Sequence, residues 1–426
     1  MTSGIRYRGW IAGVGRRGVL ALAIVLVSAA LATRPAQTQT FTVLYSFYGP
    51  SDGGGPEAGL VRDAAGNLYG TTSGGGPSYF GTVFKLDTTG NLTVLYSFGG
   101  GTDGGDPYAG LVRDSAGNLY GTTSIGGASN GGTVFKVDTT GKFTVLYSFT
   151  GGADGGYSQA GLVRDAAGNL YGTTPYGGRS GCRFQVGSSL KRQVGPPGYG
   201  YGCGVIFKLD MSGKETVLHS FTGYPDGEEP YGGLVRDSAG NLYGTTLSGG
   251  DFRAGTIFKV SPTGKEKVLY SFTGGADGGG PSAGLIRDTE GNLYGTDLVG
   301  ASGICQGQGC GIVFKLSTKG KLTVLYSFTG GSDGGNSYAG LVRDAAGNLY
   351  GTTAYAGEPD NCVYGCGVVF KVDKTGNETV LHTFTGGSDG GVPFGGLVRD
   401  KAGNLYGTAS EGGANKYFGT VFEITP

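Results

Sequence analysis

The residues in this sequence with the most chemistry to offer are its cysteines. Cys182 and Cys203, Cys305 and Cys310, and Cys362 and Cys366 fall as three pairs, each within one glycine-rich stretch. Paired thiols either oxidise to disulfides or, as thiolates, hold a soft metal ion. Their distribution predicts the bridges Cys182–Cys203, Cys305–Cys310 and Cys362–Cys366 among the pairings that six cysteines allow. A metal site made from the C-x4-C and C-x3-C pairs is the alternative. The two histidines, His219 and His382, stand where the other copies of a repeated segment carry Tyr. They therefore read as structural positions rather than as bases serving a nucleophile. Asp52, Asp103, Asp154, Asp226, Asp277, Asp333 and Asp389 each precede a Gly. Carboxylates in such loops can ligate Ca²⁺, but one per loop supplies few of the six or more oxygens needed. A plain Asp-Gly turn is the expected role. No metal or cofactor is expected, Ca²⁺ being the one candidate.

Rings and charges supply the remaining candidates. Tyr176, Tyr199, Tyr201, Tyr355 and Tyr364 lie among glycines and offer ring faces and hydroxyls to a sugar or peptide. Arg183, Lys191 and Arg192, with Arg179, have no acidic neighbour and suit an acidic glycan or partner. Asp251, Asp297, Glu358 and Asp360 depart from the repeat pattern. They are the carboxylates that a glycan-active hydrolase or lyase would use.

A repeat positions all of these. GLVRD, or once GLIRD, begins at Gly59, Gly110, Gly161, Gly233, Gly284, Gly340 and Gly396, with gaps of 51, 51, 72, 51, 56 and 56 residues. Each copy holds four short runs rich in β-branched and aromatic residues, bounded by Gly or Asp, which are strand signals. We label them A (GLVRD), B (NLYGTT), C (TVFKLD) and D (TVLYSF). The A–B link is D-x-x-G-N and the C–D link is equally short, so both are tight turns. Between GTT and the next G-x-[VI]-F the B–C loops run 8, 8, 29, 8, 13, 13 and 9 residues, and every cysteine lies in one of the three longest. With strands running up and down, B–C and D–A loops share one end of the molecule. That variable end is where binding is expected.

The register of the repeat is circularly offset. A lone D strand, Phe41–Phe47, comes first, and the last copy stops after C. A period near 50 residues indicates a propeller or a solenoid. A ring uses the offset directly, because the first strand completes the last blade and removes an open edge. The expected fold is therefore all-β, a seven-bladed β-propeller of four-stranded antiparallel blades closed by the N-terminal strand.

The repeated GLVRDAAGNLYGTT, GTVFKLDTTGK and TVLYSFTGG segments resemble the GloVer tandem repeat of exported bacterial proteins, over residues 41–426. The D-x-x-G-N-x-Y hairpin is more loosely similar to the NHL-type propeller blade. The resemblance implies export and tandem repetition. It brings no established reaction, and hence no catalytic residues. The chain ends in GTVFEITP without an apolar tail, so a surface anchor is not expected.

Arg6, Arg8, Arg16 and Arg17 precede the apolar run 18–32, followed by an A-x-A site at Ala30–Ala32. This reads as a signal peptide over residues 1–32, with a short linker at 33–40 and the propeller at 41–426. An uncleaved anchor is the alternative; no membrane span is expected in the mature chain. Gly 93 and Pro 15 would suggest disorder, but 11% aromatic residues supply a core. With 32 basic and 32 acidic residues the chain lacks the excess positive charge that nucleic-acid binding requires. The reading is a secreted or periplasmic monomer, non-catalytic, that binds a glycan or protein or serves a structural surface role. A hydrolase or lyase is the alternative.

Overall fold

The computed structural model describes residues 39–178, 202–300, 305, 309–357 and 362–426, with the backbone of 183–186 and 189–192. Each copy of the repeat forms one antiparallel sheet in the spatial order A-B-C-D. In blade 1 the strands are Val61–Arg62, Leu68–Thr72, Thr82–Leu86 and Leu92–Ser97. Blade 7 draws on both ends of the chain: Val398–Arg399, Leu405–Ala409 and Thr420–Thr425 are joined by Thr40–Ser46. The closing register runs from Thr40 opposite Thr425 to Ser46 opposite Thr420. The chain is thus an all-β propeller of seven four-stranded blades, closed by its first strand, as the offset repeat predicts.

Three side-chain rings explain why the repeat keeps its residues. Strand C of each blade is buried on both faces except for its Lys or Glu, because a neighbouring blade covers each side. Its Phe receives the edge of the Phe that ends the preceding strand D, as in Phe47–Phe84 at 5.2 Å and Phe98–Phe135 at 5.2 Å between ring centroids. The pair recurs at all seven blade interfaces, and each is worth about 0.5–1.5 kcal/mol beyond its buried area. The first Thr of GTT forms the second ring. Its hydroxyl donates to a backbone carbonyl of the next blade, from Thr71 to Ala109 (3.0 Å) round to Thr408 to Ala58 (2.9 Å).

The third ring is built from the Arg and Asp of GLVRD. The Asp closes its own hairpin. Asp63 accepts from the Asn67 backbone N–H (2.9 Å), the Asn67 amide (2.8 Å) and the Tyr69 hydroxyl (3.0 Å). The Arg lies over the Tyr of the preceding blade's strand B, from Arg62 on Tyr406 (5.4 Å) and Arg113 on Tyr69 (5.7 Å) to Arg399 on Tyr350 (5.8 Å). A cation over a ring face is favourable without a full counter-charge, so the seven arginines are bound between blades.

Candidate binding site

Strand A begins at the axis, and its first Gly packs against the same Gly of the neighbouring blade. A Cβ on Gly59 would lie 3.0 Å from the Gly396 carbonyl oxygen, and one on Gly110 3.1 Å from that of Gly59. At five of the seven positions an added Cβ would lie 3.0–3.3 Å from that neighbouring oxygen. Above it, on the B–C and D–A side, opens an axial funnel of about 500 Å³, within the ~300–1,000 Å³ range of small-ligand sites.

The residue two before each axial Gly lines this funnel: Glu57, Tyr108, Gln159, Tyr231, Ser282, Tyr338 and Phe394 in order round the ring. The flanking backbone is alike in every copy, because the Thr hydroxyl ring holds the residue between this position and the Gly. Only the side chain changes. Two residues earlier, Asp106, Tyr157, Glu229, Asn336 and Val392 all take positive φ, between 52° and 63°, where blades 1 and 5 carry Gly55 and Gly280. Side chains in the left-handed region cost about 1–2 kcal/mol each, and such strain gathers at functional sites. Four of the seven funnel side chains are aromatic and one, Glu57, is a carboxylate. Burial pushes the Glu57 carboxyl above the usual range, although the Ser73 hydroxyl at 2.9 Å works the other way.

Two of the predicted tyrosines reach this funnel. The Tyr176 hydroxyl meets that of Tyr231 at 2.7 Å. Tyr355 lies edge-on to Tyr338 and Phe394, each at 6.1 Å. Tyr364 packs on Tyr355 at 5.8 Å and is exposed. Around them the loops expose Tyr48, Tyr79, Tyr224, Phe252 and Tyr417, an aromatic rim at the same end. Tyr199, Tyr201 and the side chains of Arg183, Lys191 and Arg192 lie outside the described residues. The backbone there forms a hairpin, Arg183–Val186 against Ser189–Arg192, with Arg183 and Arg192 as register partners. The funnel residues themselves escaped the sequence reading. Their signal was present, as one of the variable positions between the recurrent D-G-G and G-L-V-R-D.

Cys305–Cys310 and Cys362–Cys366 are disulfides, as predicted. Cys203 is also disulfide-bonded, and the pairing proposed for it with Cys182 lies outside the described residues. Cys310 and Cys366 are fully buried against the next D–A loop. In blades 1 and 7 Phe80 and Phe418 fill that place against Gly100 and Gly49. The bridges thus plug a gap that a ring plugs elsewhere.

The D–A aspartates are occupied by their own turns. Asp52 accepts from the Tyr45 hydroxyl (2.7 Å) and the Tyr48 N–H (2.9 Å). His219 and His382 take the place of that Tyr, facing Asp226 at 2.9 Å and Asp389 at 3.1 Å. Among the described residues no group of three His, Cys, Asp or Glu is placed to hold a metal ion. Asp297 proves unsuited to the catalytic alternative. It replaces the second Thr of GTT, is fully buried, and accepts from the Ile312 N–H at 3.0 Å while its second oxygen has no partner. Burial pushes its carboxyl well above the usual range, and it does not line the funnel. Glu358 and Asp360 lie outside the described residues.

A pH dependence follows from the first residue of strand D. Glu215, Glu266 and Glu378 stand where other blades have Leu or Phe, and one oxygen of each is buried without a partner. Burial first, then Asp154 for Glu215 and Asp333 for Glu378, pushes the carboxyl from 4.5 to about 7. Glu266 also reaches about 7 through burial, with His219 opposing and Asp226 reinforcing. The folded state therefore binds these protons more tightly than the unfolded chain. That stability is present below about pH 4.5 and is lost as pH rises through about 7. The turn aspartates act oppositely. Burial disfavours the charge on Asp63, but donors from Asn67 and Tyr69 outweigh it and hold the carboxyl below 3.8. Their contribution is lost as pH falls below that. The melting temperature should peak near pH ~4–5, and the triple variant E215Q/E266Q/E378Q should melt higher than the parent at pH ~8 but not at pH ~4. Parallel melting profiles for the two proteins would show that these glutamates are not the cause.

Seven four-stranded blades round an axial funnel define the class, a seven-bladed all-β propeller. The chain belongs to the Gloeobacter/Verrucomicrobia repeat family, whose model matches residues 30–184 and 195–422. No match is found among curated proteins. Solved structures share the fold at low identity. The extracellular domain of a hybrid two-component system of B. thetaiotaomicron is 11% identical with TM-score 0.54, covering 90% of this chain and 39% of that one. The extracellular domain described as a one-component system from the same organism is 10% identical with TM-score 0.53, covering 90% and 40%. The chain spans about two fifths of the length of these proteins. Oligogalacturonate lyase of Vibrio parahaemolyticus is 12% identical with TM-score 0.53, covering 92% and 94%. One scaffold serves these extracellular domains and a lyase alike, so the site must carry the functional argument.

Proposed function

We propose that this chain is an exported, non-catalytic propeller that binds an uncharged glycan in the axial funnel and against the loops around it. The observation that carries this reading is the funnel lining: one backbone presented seven times, with five residue types at the axis and Tyr in three of the blades. Tyr108, Tyr231, Tyr338 and Phe394 supply ring faces, Gln159 and Ser282 supply polar groups, and Glu57 alone supplies charge. Rings stacked on sugar faces, with a few hydrogen-bonding groups, suit a polyhydroxylated neutral ligand. The disulfides support an oxidising compartment, and the basic-then-apolar segment 1–32 supports secretion or delivery to the periplasm.

The test is a binding screen of the mature protein against immobilised neutral and acidic polysaccharides and unmodified peptides, with Ca²⁺ and with chelator. Neutral polysaccharide should be retained with or without Ca²⁺. Tyr231→Ala and Tyr338→Ala should each weaken retention by about tenfold, the ~1.4 kcal/mol expected of a lost ring contact. Retention of peptides alone, or retention that survives both substitutions, would refute the reading.

A further inference from the structure

The turn-bearing end, opposite the funnel, is built from near-identical grooves between neighbouring blades, and one of them differs. The groove between blades 4 and 5 encloses about 360 Å³ and is lined by Lys259, Lys267, Arg287 and Lys319, with no carboxylate in its lining. Lys259 and Arg287 belong to the repeat. The Lys259 ammonium and the Arg287 guanidinium lie 5.6 and 5.8 Å from the centroid of the same Tyr243 ring, whose hydroxyl donates to Asp237 at 2.9 Å. That arrangement recurs on Tyr120 and Tyr294.

The additions are specific to this groove. Lys267 pairs with Lys259 across the strands, where all six other blades place Thr, as in Thr93 opposite Lys85. Lys319 stands in the C–D turn of blade 5 where blades 1 and 2 have Thr89 and Thr140. Ser317 opens the same turn in place of Asp87 and Asp138, as Ser261 does in blade 4, and its hydroxyl accepts the Lys321 N–H, where a carboxylate accepts the corresponding N–H in blades 1 and 2. Two added lysines and one deleted carboxylate, on elements of two different blades, thus converge on one concavity. Three acids adjoin the lining in sequence: Glu266 faces His219 and Asp226, Asp288 is held by the Asn292 amide and Tyr294 hydroxyl of its own hairpin, and Glu290 accepts from the Asn292 amide at 3.2 Å. Four cations line one concavity that has no carboxylate in its lining, and their mutual repulsion is a cost that a bound anion removes.

We propose that this groove is a second binding site, for a sulfate or phosphate group, free or carried on a polymer. It rests on none of the observations behind the funnel. The probes are inorganic pyrophosphate for the free anion and dextran sulfate for the polymeric one, titrated calorimetrically at low and moderate salt. At least one should bind saturably, weakening as salt rises. Lys267→Thr and Lys319→Thr restore the repeat's own residues, so the fold should be retained, with an unchanged melting temperature. Each should weaken binding by about tenfold through loss of one charge-assisted contact. Transplanting the change as T93K/D138S/T140K into blades 1 and 2 should create a second equivalent site. Pyrophosphate bound as tightly as dextran sulfate points to a free anion; a polymer preference with the same lysine dependence points to a sulfated or phosphorylated chain. Binding unaffected by the double variant K267T/K319T, or no saturable binding of either probe, overturns the proposal.

Discussion

Removing residues 40–47 should abolish the cooperative melting of the propeller. Thr40–Ser46 is the outer strand of blade 7, and without it the edge of Thr420–Thr425 is left unpaired. Phe47, fully buried, packs on Phe84 of blade 1. Phe41 stacks on His382 at 3.6 Å and lies against Phe422 at 5.4 Å. The segment therefore joins blades 6, 7 and 1. Losing buried Phe47 costs about 3–5 kcal/mol, and with partly buried Phe41 and a strand ladder gone as well the loss approaches the whole ~5–15 kcal/mol of net stability. Calorimetry and light scattering should show a lost or strongly lowered transition and association through the exposed edge. A synthetic peptide of residues 39–48 added in trans should restore part of it. A truncated protein that melts at the parental temperature would remove the closure argument.

Gly255→Ala should strongly destabilise the propeller. Gly255 has φ of 94°, and an added Cβ would sit 2.4 Å from the Thr246 carbonyl oxygen and 2.8 Å from Pro281. Both strain and overlap act, and the overlap is with backbone, which cannot swing aside. The left-handed penalty of about 1–2 kcal/mol adds to about 1–3 kcal/mol for overpacking. Gly320 is the control, since its φ is 78° but nothing lies within 4 Å of the added atom. Gly320→Ala should cost only about 1 kcal/mol. Equal denaturation midpoints for the two variants would mean that the close approach at Gly255 is relieved by backbone movement.

The seven funnel residues and the basic groove share one lesson. Every copy of the repeat looks complete by itself, and nothing within one copy shows that Tyr108, Tyr231 and Tyr338 face a common axis or that Lys267 meets Lys319. Those residues lie from 52 to 230 positions apart in the chain, and a linear pattern holds no angle between repeats. The aspartates and histidines were easier to read, because their partners lie within about one turn of the chain, as in Asp63 with Asn67 and His219 with Asp226.

By itself the sequence determined the strands, the tight and variable ends, the number of blades and the closure by a first strand. Local strand and turn chemistry, repeated seven times with an offset, leaves an open edge that only a ring removes. The short disulfides were equally legible, since Cys305–Cys310 and Cys362–Cys366 close loops too small to need distant partners. Tertiary structure alone decided which variable residues act together. It turned the arginines onto the tyrosines of neighbouring blades, and it buried Asp297 beyond the reach of any substrate. It also brought one side chain from each blade to the axis. The physical reason is that blade packing sets the angle between copies: a residue's neighbours across that angle are chosen by the ring and not by the chain.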